Sequence, residues 1–146
     1  MSKGIQLVVH VERYARSAAL QRKTTQTCWQ RVAELINAVG WQQRKFCNKT
    51  LLDVSVYEKA MKNHDSVPTL RTLIAICIAM ELSVSATNSL LYSAGHVLND
   101  AIEEHRAFLY ILQDLPGVPI GVANDFLIRV GVEPLGSKTF SKTKAV

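Results

Sequence analysis

The sequence predicts an all-α fold in which five short helices are followed by a carboxy-terminal helical hairpin. Apolar residues recur at helical spacing from residue 27 onward. Residues that suit helix N-caps precede several of these stretches, and glycine follows others. Hydrophobic residues make up 48% of the chain and charged residues 20%, which is typical of a folded globular protein.

The first five helices are marked by their caps. Thr27 suits the N-cap of the first helix, and Gly40 suits the left-handed position that ends it. Asp53 is predicted to cap the third helix and Thr69 the fourth. The predicted ranges of the second, third, fourth and fifth helices are 42–50, 54–62, 70–81 and 85–94.

The fourth helix, with the sequence LRTLIAICIAME, has almost no polar face. A helix that is apolar all round must be covered on every side. The first three helices can cover only part of it. The amino-terminal segment, the carboxy-terminal segment or a second subunit must therefore cover the rest.

The hairpin is predicted from two further amphipathic stretches, which are separated by Pro116-Gly117-Val118-Pro119. Asn99 is the expected N-cap of the sixth helix, and the seventh helix is expected over 120–130. The chain from Pro134 onward is expected to be frayed. The side chains expected to face inward are Ile102, Phe108, Leu109, Ile111, Leu112 and Leu115 in the sixth helix, and Val122, Ala123, Phe126, Leu127 and Val130 in the seventh.

The chain is predicted to have four parts. Ile5, Leu7, Val9 and Val11 alternate like a short strand, but Val8 breaks the alternation, so a helix or a partly ordered arm is favoured there. The four parts are a basic amino-terminal arm or helix over 1–26, a five-helix domain over 27–95, a helical extension over 96–136 and a flexible tail over 137–146.

Positive charge is concentrated in the amino-terminal half of the chain. Residues 1–63 contain 11 Lys or Arg and 4 Asp or Glu, whereas residues 64–146 contain 6 and 8. The formal net charge of the whole chain is +5. This asymmetry is expected of a protein that presents one face to a polyanion.

The cysteines and the hydropathy pattern indicate a cytoplasmic protein. Cys28, Cys47 and Cys77 lie in apolar helical patterns and form no CxxC pair, which predicts buried, reduced thiols without a metal. No apolar run approaches the roughly 18 residues of a membrane span, so no membrane partner is expected.

Enzyme classes are disfavoured. Glu103, Glu104 and His105 suggest metal ligands, but no second His follows at helical spacing. Neither a Gly-rich phosphate loop nor a GxSxG motif occurs. We therefore expect no enzymatic activity and no cofactor.

The stretch from Trp41 to Leu82 carries the clearest functional pattern. Two short helices are joined by the tight turn Leu51-Leu52-Asp53 and are backed by the apolar fourth helix. Small DNA-binding domains use this arrangement to present one helix to a groove of the duplex.

Residues 28–95 resemble the phage-repressor-like, or XRE-type, helix-turn-helix family of transcriptional regulators. In that family the first helix ends at Gly, followed by an apolar residue, a small capping residue and Gln. The corresponding residues here are Gly40, Trp41, Gln42 and Gln43. The family also has a buried pair in its second helix, a turn residue, a proline that opens the fourth helix and three core positions in that helix. These features correspond to Phe46 and Cys47, Leu51, Pro68, and Leu73, Ile76 and Met80. The resemblance implies a five-helix, repressor-like DNA-binding domain. Leu51 departs from it, because the family usually has Gly there, so this turn either avoids a positive φ or is strained.

The resemblance also implies which residues meet DNA. The positions of the third helix that read bases hold Val54, Ser55, Glu58 and Lys59. Glu58 can accept a hydrogen bond from cytosine, and Val54 can touch a thymine methyl group, but the set is small. We expect six residues to contact backbone phosphates: Gln43, Arg44, Lys45, Lys49, Lys62 and Asn63. The alternative for these residues is simple exposure to solvent, and Asn63 could instead close a turn.

These observations predict a sequence-specific transcriptional regulator, a repressor of bacterial or phage origin that binds double-stranded DNA as a homodimer. The dimer is expected through the sixth and seventh helices, because the apolar fourth helix together with Phe108, Leu112, Phe126 and Leu127 offers more apolar surface than five short helices can bury. The alternative is a protein-interaction module or an antitoxin on the same scaffold, with weakened DNA binding. The scarcity of base readers favours this alternative, and the basic half favours DNA.

Overall fold

The computed structural model describes residues 8–13, 15 and 27–136, and the regular secondary structure in these ranges is entirely helical. The predicted all-α class is therefore confirmed for the described chain. Residues 8–13 and 15 are helical and exposed, whereas the expectations for the rest of the arm and for the tail 137–146 lie outside the described residues. The bounded helices are α1 (Cys28–Val39), α2 (Gln43–Thr50), α3 (Val54–Met61), α4 (Leu70–Ala79), α5 (Val84–Ser93), α6 (Glu103–Asp114) and α7 (Ile120–Arg129).

The caps predicted for the first, third and fourth helices are present. Thr27 forms a capping box at α1, in which its side chain accepts from the Gln30 N–H at 3.1 Å and the Gln30 side chain accepts from the Thr27 N–H at 2.9 Å. Gly40 ends α1 with a φ of 74°. Asp53 caps α3 and Thr69 caps α4. Local capping chemistry therefore sets these boundaries to within one or two residues.

Helix α4 lies at the centre of the fold. Its residues from Leu73 to Ile78 are all buried. It packs against α2, α5, α6 and α7. The carboxy-terminal helices thus supply the cover that α1–α3 cannot give, which was one of the three arrangements expected for so apolar a helix.

The start of α6 differs from the expectation. The helix begins at Glu103, with Ile102 and not Asn99 at its N-cap. The Asn99 side chain instead accepts a hydrogen bond from the Ala101 N–H at 2.9 Å, and the Asn99 carbonyl accepts from the Ile102 N–H at 2.9 Å. Asn99 therefore closes a turn ahead of the helix, since short polar side chains suit both roles.

Three side chains assigned to the inward faces of the hairpin are exposed. Ile102 precedes α6 and is 44% exposed, Val122 is 47% exposed and Val130 is 41% exposed. The buried face of each helix is narrower than the apolar residues of the sequence predicted, because α6 and α7 each bury only one side against the core. The buried residues of these two helices are Ala107, Phe108, Ile111, Leu112, Ile120, Ala123, Asn124 and Leu127.

The expected surplus of apolar surface in the hairpin is mostly absent. Phe108 and Leu127 are fully buried, Leu112 is 7% exposed and Phe126 is partly buried against the core. The expected apolar surplus at these four positions is wrong, because the chain itself buries most of their surface, and they therefore give no reason to expect a dimer.

The described part of the segment after α7, which includes Pro134, Leu135 and Gly136, is packed and not frayed, although fraying was expected from Pro134 onward. Leu135 is 1% exposed. The Asn124 side chain donates to the Leu135 carbonyl at 3.0 Å and accepts from the Leu135 N–H at 2.7 Å. A buried amide that matches both backbone groups of Leu135 holds this segment against α7.

Candidate nucleic-acid interface

A three-residue turn joins α2 to α3. The Thr50 hydroxyl is buried and donates to the Phe46 carbonyl at 2.7 Å, while it accepts from the Leu52 N–H at 3.2 Å. The Leu51 N–H donates to the Cys47 carbonyl at 2.9 Å. These bonds satisfy the end of α2 and bring the chain round to Asp53, the cap of α3.

Leu51 adopts the left-handed conformation, with φ 60° and ψ 22°. The sequence left open whether this turn avoids a positive φ or is strained, and the structure shows the positive φ. A residue with a Cβ in this region costs roughly 1–2 kcal/mol relative to the right-handed conformation. The side chain of Leu51 is partly buried against the core, which offsets part of this cost.

Helix α3 is fixed on one side only. It packs against α1 and α2. Ala60 is 1% exposed, and the Tyr57 ring lies 5.7 Å from the Phe46 ring of α2, centroid to centroid. Met61, which its spacing assigns to the inward side with Ala60, is 39% exposed. On the opposite side of α3, Ser55 and Glu58 are exposed as well, and no other described helix packs closely there.

The four positions predicted to read bases differ in exposure. Ser55 and Glu58 are exposed, whereas Val54 and Lys59 are half-buried. Val54 also packs partly against the core. The fully exposed groups at these positions are thus the Ser55 hydroxyl and the Glu58 carboxylate. Lys59 is half-buried, but its long side chain can still bring the ammonium group to the surface.

Basic side chains lie on α2 and on α3 with its C-cap, Lys62. Arg44, Lys45, Lys49 and Lys62 are exposed, and Lys59 is half-buried. The two ion pairs in the described chain are His64–Asp65 and Arg71–Glu104, so none of the five cations is neutralised by one there. Five cations on two adjoining helices and a C-cap, none of them in an ion pair among the described residues, favour binding of an anion with repeated charges.

Gln43 and Asn63 are the two uncharged residues predicted on phosphates. Gln43 is exposed at the first position of α2. Asn63 has a φ of 50°, and its side-chain oxygen accepts a hydrogen bond from the Thr27 hydroxyl at 2.6 Å. Asn63 therefore closes the turn after α3, which leaves its amide nitrogen for any further partner.

Asn48 was missed by the sequence reasoning. It is exposed on α2 and lines a shallow groove of about 370 Å³ together with Gly40, Gln42, Arg44 and Lys45. Its spacing carried the signal, since Asn48 follows Arg44 by four residues and Lys45 by three and so shares their helix face. An amide at this position adds a hydrogen-bond donor to the basic surface.

Two of the three residues with a metal-binding character take part in structural contacts. Glu104 pairs with Arg71, and the His105 ring accepts from the Asn99 N–H at 2.9 Å. Within the described chain no three His, Cys, Asp or Glu residues lie close enough to hold a metal ion. Burial raises the pKa of the Cys28 thiol and that of the Cys77 thiol, which disfavours a thiolate nucleophile at either position.

Comparison with known proteins adds no family assignment. Neither a scan against protein-family models nor searches of curated proteins and of solved structures gave a match to this chain. Among the described residues, no helix combines the length and the hydropathy needed to cross a membrane.

Proposed function

We propose that this protein is a transcriptional regulator of the repressor-like helix-turn-helix type, which binds double-stranded DNA with α3 in the major groove. The observation that carries the proposal is the exposed side of α3, together with cations on α2, on α3 and at its C-cap that no described ion pair neutralises. An outward helix of eight residues with basic neighbours matches how such units dock on a duplex.

The residues have different roles in this proposal. Gln43, Arg44, Lys45 and Lys49 on α2 contact the phosphate backbone and set the register of α3, with Lys62 adding a further phosphate contact. On α3, Ser55, Glu58 and Lys59 face base edges, while half-buried Val54 lies at the edge of the contact. Most of the affinity for DNA then comes from contacts with the phosphate backbone, and the preference for a sequence comes from the few side chains of α3 that face bases.

The proposed mode of action is occupation of an operator by a bacterial or phage-derived repressor, without catalysis. Two copies are required for two half-sites one helical turn apart, because a single short recognition helix reads few bases. We place the protein in the cytoplasm, since the thiols of Cys28 and Cys77 are buried and free.

A protein-interaction module is the second candidate function. The observation that favours it is the half-burial of Val54 and Lys59, which leaves Ser55 and Glu58 as the fully exposed readers. An interaction module or an antitoxin on this scaffold would keep the fold and the charge but would not select a DNA sequence.

Fluorescence anisotropy with a labelled random-sequence duplex, measured over a range of salt concentrations, tests the proposal. The four cations assigned to phosphates predict that log affinity falls against log salt with a slope of about −3.6 for each bound copy. Selection from a random duplex library should then enrich a sequence with two related half-sites. Salt-dependent binding without enrichment would favour the second candidate, and no binding at low salt would exclude DNA as the ligand.

A further inference from the structure

An aromatic pair with one exposed ring and one partly buried ring lies on the hairpin, on helices other than the basic α2 and α3. The rings of Tyr110 in α6 and Phe126 in α7 stack with centroids 5.1 Å apart and an interplanar angle of 13°. Tyr110 is 48% exposed. Val122 and Val130, 47% and 41% exposed, lie four residues before and after Phe126. These four residues form the α6–α7 aromatic patch.

The core covers only part of this patch, through Phe126. The other sides of α6 and α7 are the ones buried, through residues such as Phe108 and Leu127. Helix α6 packs against α4 and α5, and α7 packs against α4, whereas α3 packs against α1 and α2. A contiguous apolar surface with exposed aromatic rings is characteristic of a protein interface.

The charges beside the patch are arranged symmetrically. Arg106 precedes Tyr110 by four residues and Asp114 follows it by four, and both are exposed on α6. If two α6 helices cross antiparallel at Tyr110, Arg106 of each copy lies beside Asp114 of the other. The same two-fold axis requires a self-complementary surface, and this spacing supplies one.

We propose that a second copy of this chain docks on the α6–α7 aromatic patch, with two-fold symmetry and with the two α6 helices antiparallel across Tyr110. Stacked rings at the centre and paired charges at the rim are the usual organisation of such an interface. The proposal deepens the proposed function by naming the surface through which the regulator forms its homodimer. It is tested without DNA, so its failure is distinct from a failure of DNA binding.

The first experiment measures self-association of the full chain by sedimentation equilibrium across micromolar concentrations. The wild-type protein should be a dimer, and Tyr110→Glu should raise the dimer dissociation constant by about tenfold or more, because it places a charge at the centre of the interface. The matched control is Tyr92→Glu on α5, since Tyr92 is 78% exposed and lies outside the patch. This control should leave the dissociation constant within about twofold of wild type.

The second experiment tests the antiparallel arrangement by exchanging charges. Arg106→Asp and Asp114→Arg should each raise the dissociation constant by about tenfold, because each places like charges opposite one another twice in the dimer. The double variant should return it to within about threefold of wild type, since the pairs are restored with opposite polarity. Arg106 also donates to the Asp100 carbonyl at 3.0 Å, so circular dichroism must show that Arg106→Asp retains its helix content.

Three outcomes would overturn the proposal. One is a wild-type protein that stays monomeric throughout the concentration range. Another is a dimer that Tyr110→Glu leaves unchanged or that Tyr92→Glu weakens to the same degree. The third is a double charge exchange that associates no better than either single variant, which would exclude the antiparallel pairing across Tyr110.

Discussion

Gly136 lies directly against Leu51, the left-handed residue of the turn between α2 and α3. A Cβ on Gly136 would be 2.7 Å from the Leu51 Cβ and 2.8 Å from the Leu51 carbonyl oxygen. The buried Asn124 amide holds the preceding Leu135 through two hydrogen bonds. The last described residues of the chain therefore cover the turn that sets the direction of α3.

Replacing Gly136 with Ala should destabilise the protein by about 2–4 kcal/mol, because the positive φ is unfavourable for Ala and the new Cβ overlaps Leu51. The matched control is Gly131→Ala, where φ is also positive but a Cβ would meet nothing within 4 Å. Urea denaturation should show the smaller loss, about 1 kcal/mol, for the control. Equal losses for the two variants would mean that the contact with Leu51 contributes nothing.

Arg71 connects α4 to the carboxy-terminal segment. Its guanidinium pairs with Glu104, donates to the carbonyls of Glu133 and Pro134 at 2.7 and 2.6 Å, and lies 5.7 Å from the centre of the Phe108 ring. Arg71→Lys should lower the free energy of unfolding by about 1–2 kcal/mol, because an ammonium cannot hold a carboxylate and two carbonyls in one plane.

The variant Glu104→Gln removes the negative charge that pairs with Arg71 but keeps a hydrogen-bond acceptor of the same shape. It should cost less than about 1 kcal/mol, since the pair is partly exposed and Gln retains an acceptor for the guanidinium. Thermal or urea denaturation of both variants gives the comparison. A larger loss for Glu104→Gln than for Arg71→Lys would contradict the view that the two carbonyl contacts dominate.

The sequence predicted the helices well because their boundaries depend on local chemistry. Thr27, Gly40, Asp53 and Thr69 each act on backbone groups a few residues away, so their cap roles can be read without the fold. Asn99 was misassigned because an Asx turn and an N-cap use the same side chain, and only the path of the backbone distinguishes them.

Long-range contacts could not be predicted in the same way. The Leu51–Gly136 approach and the Arg71 contacts join residues far apart in sequence, and no periodicity encodes them. In the candidate interface, the basic residues of α2 were expected to be exposed and are so, whereas the half-burial of Val54 depends on how α3 is tilted against the core.

The Cys77 thiol should make the stability of the protein depend on pH in the alkaline range. Burial raises its pKa from 9.0 to about 12, so above pH 9 the unfolded chain releases this proton while the folded chain retains it. The stabilisation is complete below pH 9 and is lost as pH rises towards 12. The free energy of unfolding should therefore fall more steeply over this range in the wild type than in Cys77→Ala, measured by urea titration. Parallel curves would show that Cys77 is not buried as described.

Ile76 tests the placement of α4 at the centre of the core. It is fully buried, so Ile76→Ala should cost about 2–5 kcal/mol, the range for a cavity that does not collapse. Ile128→Ala on α7 is the matched control, because Ile128 is 45% exposed and its truncation should cost about 0.5 kcal/mol or less. Near-native thermal stability of Ile76→Ala would place α4 elsewhere.

Lys59 and Lys62 test whether α3 lies at the DNA interface. They follow one another by three residues on α3 and its C-cap, and neither takes part in an ion pair within the described chain. Replacing both with Ala should weaken duplex binding, and the loss of the Lys62 phosphate contact should make the slope of log affinity against log salt shallower by about 0.9 for each bound copy.

The control for the double lysine variant is Arg129→Ala, which removes an exposed cation from the last turn of α7, the helix that packs on α4 and not on α3. It should leave both the affinity and the slope close to those of the wild type, because Arg129 lies outside the proposed interface. Anisotropy titrations of the three proteins at several salt concentrations give the comparison. If the double variant and Arg129→Ala changed the slope equally, charge alone would explain binding and α3 would have no special place in it. If neither changed it, α3 would lie outside the interface.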